Sequence, residues 1–200
     1  MNLIAVSQRV DYIPARKEFR DSLDVRISRF LSKVGLLAVP VPNCLTDRGD
    51  EYRGLSLWLD SVSPRGVLLS GGNDLGEFAS RDITEGYLVD YARTKQLPLL
   101  GICRGMQMLA KLDGIGLKRV QGHAGTKHQI SGCFEREVNS FHEYSINSVP
   151  PDYKVTALAP DGEIEAIRHK FLPWEGWMWH PEREEFYQES DLESVGKLFA

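Results

Sequence analysis

The chain has 200 residues, 42% of them hydrophobic, with 24 basic against 28 acidic side chains and a formal net charge of −4. That length carries one α/β-sized core, expected to span residues 1–200 as a single domain. The acidic balance argues against a duplex nucleic-acid binder, whose footprint is a basic face. No apolar run approaches the ~20 residues of a membrane helix. The start, Met1-Asn2-Leu3-Ile4-Ala5-Val6, lacks the basic and long apolar regions of a signal peptide. Three cysteines (Cys44, Cys103, Cys133) without CxxC spacing fit a reducing, cytoplasmic setting.

Leu3-Ile4-Ala5-Val6 reads as a buried strand. Over 21–34, Leu23, Ile27, Phe30, Leu31 and Val34 recur at helical spacing, with Asp21 or Ser22 as cap and Gly35 as stop. Residues 38–42 and 66–69 read as the next strands, 83–96 as a helix and 97–102 as a fourth strand. Strands alternating with helices predict a mostly parallel sheet covered on both faces. Beyond Gly114, short strand-like runs follow at 135–138, 153–157, 163–167 and 176–180, and a helix over 192–199 closes the chain.

The most informative stretch is the strand that runs into Gly101-Ile102-Cys103-Arg104-Gly105 and then into an amphipathic helix. This is a nucleophile elbow with sulfur in place of oxygen. Glycines two residues either side leave room for the reversal, and the helix N-terminus aims at the sulfur, which favours thiolate. A buried cysteine with incidental glycines is the bland alternative, and it is retained for Cys44 and Cys133, which have no such context.

Of five histidines, His123 and His128 fall in a Gly-rich stretch read as a loop, His142 is followed at once by Glu143, and His169 by Lys170. In Trp179-His180-Pro181-Glu182 the acid lies two positions on, so both side chains would share a face of an extended segment that Pro181 stiffens. That supplies a base and its orienting carboxylate for Cys103. No His/Cys/Asp group shows ligand spacing, so no metal is expected. Arg104 N–H is one expected oxyanion donor, and Ser70-Gly71-Gly72-Asn73-Asp74 at a strand end offers a second.

These motifs, with Val138-Asn139-Ser140-Phe141-His142 between the last two, resemble the class I glutamine amidotransferase superfamily, and most closely its free-standing γ-glutamyl hydrolase branch. The resemblance implies a flavodoxin-like three-layer fold with a mostly parallel sheet and a Cys103-His180-Glu182 triad without a cofactor. It implies oxyanion donors at Gly72 and Arg104, and substrate contacts from Gln107, the Ser140-Phe141 backbone, Asn73 and His142. Two departures bear on the substrate: the chain is short for the branch, and Glu143 stands where the family usually has a second histidine.

Arg9, Lys17, Arg20 and Arg26 follow the first strand, and Arg9 and Arg20 are the expected receivers of a phosphorylated leaving group. The Ser7-Gln8-Arg9-Val10-Asp11 and Arg20-Asp21-Ser22-Leu23-Asp24 segments are similar to hydrolases of γ-glutamyl-CDP-amidate, which release L-glutamate and cytidine diphosphoramidate for capsule decoration. Alternatives are a hydrolase of another γ-glutamyl amine of the γ-glutamyl-GABA type, or a glutaminase subunit serving a synthetase partner. A redox protein whose elbow cysteine is oxidised ranks lower, since it needs no oriented base. The expected partner is a small molecule, with a homodimer left open and neither nucleic acid nor membrane involved.

Overall fold

The computed structural model describes residues 2–46 and 53–200. The chain runs β1 (Asn2–Val6), β2 (Arg9–Ile13), β3 (Glu18–Ser22), α1 (Val25–Ser32), β4 (Leu36–Pro40), α2 (Arg53–Val62), β5 (Gly66–Leu69), α3 (Ala79–Lys95), β6 (Leu99–Ile102) and α4 (Arg104–Leu112). It continues through β7 (Leu117–Arg119), β8 (Ala124–Gly132), β9 (Arg136–Phe141), β10 (Tyr144–Ile146), β11 (Tyr153–Leu158), β12 (Ile164–His169), β13 (Trp174–Trp177) and α5 (Glu189–Leu198). Nine strands form one sheet in the order β4-β1-β5-β6-β13-β12-β11-β8-β9. The β4-β1-β5-β6-β13 half is parallel and the rest antiparallel.

The centre of the parallel half is buried on both faces because β5 (Gly-Val-Leu-Leu) and β6 (Leu-Leu-Gly-Ile) carry no polar side chain. Ile4, Val6, Leu68, Leu100 and Ile102 pack with Phe30 and Leu31 of α1 and Val195 of α5. The alternating set Ala5, Val67, Leu69 and Leu99 packs with Leu55 and Leu59 of α2, Leu88 of α3 and Met106 of α4. This period-2 division builds the three-layer α/β sandwich. The carboxyl ends of β1, β5 and β6 then open on the same edge, where ligands bind in such sheets.

The sequence expectations need several corrections. The helix expected from Asp21 begins at Val25, because Asp24 accepts the Arg26 N–H at 3.0 Å and is the cap. Residues 18–22 instead pair with 9–13 as the β2–β3 hairpin, pinned by a Tyr12–Phe19 ring contact at 4.7 Å. Helix α3 starts at Ala79, four residues early, with no side-chain cap to announce it. His128, read as loop, lies in β8. Strand β13 ends at Trp177, short of His180. Cys44 and Cys133 are exposed rather than buried. Among the described residues no helix is long and apolar enough to cross a membrane.

Candidate active site

Cys103 caps α4 with φ 50° and ψ −104°, a sparsely populated positive-φ conformation that costs an L residue about 1–3 kcal/mol. The surroundings enforce it. The Cys103 N–H donates to Trp177 O at 2.6 Å, and Cys103 O accepts the Gln107 N–H at 3.1 Å. A Cβ on Gly101 would sit 2.6 Å from the Gly105 carbonyl carbon, and one on Gly105 would sit 2.3 Å from Leu69 O. Both glycines are therefore steric requirements of the turn.

His180 lies beyond the end of β13 and is almost fully buried. The Asn139 side chain grips its backbone from both sides: Oδ1 accepts the His180 N–H at 2.9 Å, and Nδ2 donates to His180 O at 2.8 Å. Glu182 Oε1 is 2.7 Å from His180 Nδ1. The expected extended run through Glu182 gives way to a single 3-10 turn over Pro181–Arg183, closed by Arg183 N–H to His180 O at 3.0 Å. His180 itself, at φ −109° and ψ 86°, stays out of the α region that a following proline disfavours, and the turn brings the carboxylate back onto its ring. Burial alone would push the imidazole down. The Glu182 charge and then the charge of, and hydrogen bond to, Cys103 outweigh it and hold His180 up at about 9. Gly71 lets the ring in, since a Cβ there would lie 2.5 Å from His180 Cε1.

The Ser70-Gly71-Gly72 loop is oriented by Arg81, a fully buried cation. Its guanidinium donates to Ser70 O at 2.8 Å, to Gly71 O at 3.0 Å and to Gly72 O. In a trans peptide the N–H opposes the C=O, so turning the Gly71 carbonyl to Arg81 turns the Gly72 N–H away from Arg81. Glu85 balances the charge, accepting from Arg81 Nε at 3.1 Å, from Ser7 Oγ at 2.8 Å and from Arg104 Nη1. Arg104 also donates to Asp82. Its guanidinium is thus engaged by two carboxylates. Burial pushes Arg81 down to about 10, still protonated at neutral pH.

Two cavities of about 450 and 430 Å³ meet at His180, sharing Arg9, Gly72 and Arg183 in their walls. The second also holds Cys103, Gln107 and Phe141, while the first runs past Leu23 and past Ile27 of α1. The remaining expected contacts are divided. Gln107 Nε2 donates to Tyr144 O at 2.9 Å. Phe141 packs edge-on to the His180 ring at 5.7 Å. Ser140 is buried, its hydroxyl spent on His123 O. Asn73 spends its amide on the Val10 backbone, at 2.8 and 3.1 Å, tying the β2–β3 hairpin to the glycine loop. Arg9 Nη1 lies over Gly72, and its Nε holds Asp11 at 2.8 Å. Arg20 pairs with Glu18 at 2.9 Å on the exposed hairpin face and lines neither cavity. His142 contributes to the wall of the second cavity, but its ring is buried beside Glu165.

Sequence reasoning missed Arg81, Glu85, Asn139 and Arg183. Asn139 sat in a quoted motif, whereas Arg81 and Glu85 look like any polar i, i+4 pair on a helix surface.

The family profile for glutamine amidotransferase class-I matches residues 18–192. The γ-glutamyl-CDP-amidate hydrolase of Campylobacter jejuni is 38% identical over 127 residues, 60% of this chain and 63% of that one, so the match spans less than two thirds of that relative. The glutamine-hydrolyzing GMP synthase subunit of Methanocaldococcus jannaschii is 29% identical over 167 residues, 78% of this chain and 81% of that one. The crystal structure of a putative GMP synthase subunit from Thermoplasma acidophilum superposes with a TM-score of 0.73 at 23% identity, covering 100% of this chain and 92% of that one. That likeness concerns the fold.

Proposed function

The chain belongs to the glutamine amidotransferase class-I family, and we propose that it hydrolyses a γ-glutamyl amide through Cys103, His180 and Glu182, with γ-glutamyl-CDP-amidate as substrate. The observation that carries this reading is the buried His180, hydrogen-bonded to Glu182 at 2.7 Å and sharing a cavity with Cys103 on its strained elbow. A cysteine nucleophile needs such an oriented, proton-holding partner for acyl transfer.

In this reading His180 already holds the proton of Cys103, whose sulfur bonds to the γ-carbonyl carbon as a thiolate. The carbonyl oxygen takes the negative charge and accepts from the Gly72 and Arg104 N–H groups. The C–N bond breaks as His180 hands its proton to the leaving nitrogen. Water then gives a proton to His180 and attacks the γ-glutamyl thioester, and glutamate leaves with the sulfur restored as thiolate. Gln107 and the Ser140-Phe141 backbone would hold the glutamyl end in the cavity that contains Cys103. Arg9 and Arg183, at the junction of the two cavities, would meet an anionic leaving group.

The substrate choice draws support from the Campylobacter relative. A glutaminase subunit is the second reading, favoured by the longer overlap with the glutamine-hydrolyzing GMP synthase subunit. Glutamate release by the isolated chain from L-glutamine, γ-glutamyl-GABA, a γ-glutamyl dipeptide and γ-glutamyl-CDP-amidate separates them. Preference for the nucleotide amidate, abolished in folded Cys103→Ala, is expected. Preference for another amide overturns the substrate, retained turnover in Cys103→Ala overturns the mechanism, and silence on all four favours the partner-dependent glutaminase.

A further inference from the structure

The fold gathers three histidines and a glutamate that lie far apart in the sequence. His123 precedes β8, His128 lies in β8, His142 joins β9 to β10, and Glu165 is in β12. One donor atom from each lies within 4.8 Å of every other. His123 Nδ1, His128 Nε2 and His142 Nε2 stand 3.3, 3.5 and 3.4 Å from Glu165 Oε1. All of these atoms are buried and lack a hydrogen-bond partner among the described residues, as does Glu165 Oε2.

The opposite nitrogen of each ring is occupied. His123 Nε2 faces Asp161 Oδ2 at 2.9 Å, His128 Nδ1 faces Gln129 O at 3.2 Å, and His142 Nδ1 faces Tyr144 O at 3.1 Å. Acceptors at those positions place the ring protons there, so the inward nitrogens present lone pairs. Three lone pairs and a fully buried carboxylate aimed at one point repel each other, and an unpaired buried carboxylate is costly. A cation at the centre resolves both problems. Around an ion bound at ~2.0–2.1 Å, tetrahedral ligands stand about 3.3 Å apart, close to the three separations found.

We propose that His123, His128, His142 and Glu165 form a closed, four-coordinate site for a divalent transition ion of the zinc class. Three imidazoles and one carboxylate suit that ion, and four protein ligands leave no open position for chemistry, so the role is structural. The placement gives it work to do. Strand β8 meets β11 over only two pairs, Ala157↔Gly132 and Leu158↔Ser131. The ion would clip the far end of the β8–β9 hairpin, which carries Phe141 at the cleft, onto β12. The sequence reading found no metal because it looked for ligands at short spacing, whereas these converge from separate strands.

The test is metal content and thermal stability. Wild type, and a variant with Cys44, Cys103 and Cys133 all changed to Ser so that no thiol competes, are stripped with chelator, dialysed against Zn(II) and counted by mass spectrometry. The expected result is about one zinc per chain in both, and Tm higher by about 5–10 °C at zinc well above Kd. Co(II) should give the intense visible absorption of a tetrahedral site. His128→Ala and Glu165→Gln should lose the bound ion. Asp161→Asn, at an exposed residue whose change leaves folding intact, should weaken it about 10–100-fold. No retained zinc with no Tm shift overturns the proposal, as does zinc retained undiminished in the folded His128→Ala and Asp161→Asn proteins.

Discussion

Gly71→Ala is a steric test of the site that leaves its chemical groups in place. Gly71 is not among the positive-φ glycines, so alanine meets no backbone penalty there. Its Cβ, however, would lie 2.5 Å from His180 Cε1. Ordinary carbon contact is ~3.5 Å, so the ring must retreat by about 1 Å. It has nowhere to go, because Glu182 holds Nδ1 and Asn139 holds both backbone groups of His180. A misplacement of about 1 Å at a reacting group costs on the order of 100-fold in rate. Steady-state glutamate release should therefore show kcat/KM down by about two orders of magnitude in a protein whose circular dichroism is unchanged. Activity within twofold of wild type in folded Gly71→Ala would refute both the fixed position of His180 and its part in the reaction.

Three further outcomes follow from the same geometry. Arg81→Met removes one of the two arginines paired with buried Glu85 and frees the glycine-loop carbonyls, so chemical denaturation should find it about 3–5 kcal/mol less stable; a loss under 1 kcal/mol would contradict that role. Burial lowers the His180 proton affinity but Glu182 and Cys103 raise it more, to about 9 against an ordinary 6.5. Its share of stability is thus fully present below pH 6.5 and lost as pH rises through 9, and Tm scans of Glu182→Gln should flatten that decline. Arg9→Ala should raise KM for γ-glutamyl-CDP-amidate while sparing small γ-glutamyl amides, whereas Arg20→Ala, paired with Glu18 outside the cavities, should change neither; equal effects of the two arginines would remove Arg9 from the leaving-group site.

The sequence discloses what is local. The elbow can be read because Gly101 and Gly105 lie within two residues of Cys103 and their bulk alone decides the turn. The His180–Glu182 contact can be read because Pro181 restricts the chain between them, although the turn type was missed. Strands β5 and β6 were legible as continuous apolar runs. Features that depend on distant segments were not. The β2–β3 hairpin turns through Lys17 at φ 51°, where glycine or asparagine would have given a signal and lysine gives none. Leu23 keeps helical spacing to Ile27 by coincidence, which drew the helix boundary too early. The Arg81–Glu85–Arg104 network joins two helices, α3 and α4, and its members look solvent-facing until the glycine loop folds over them.

The doorway formed by Arg9, Gly72, His180 and Arg183 also bears on the order of events. If the glutamyl half lodges beside Cys103 and the other half beyond His180, the first product must vacate its chamber before water can reach the thioester along that path. A leaving group that dissociates slowly would then delay its own successor, and its amine would stand ready to attack the thioester and rebuild the amide. Trapping by added amines and inhibition by the first product would rise and fall together, both governed by how tightly that doorway holds its occupant.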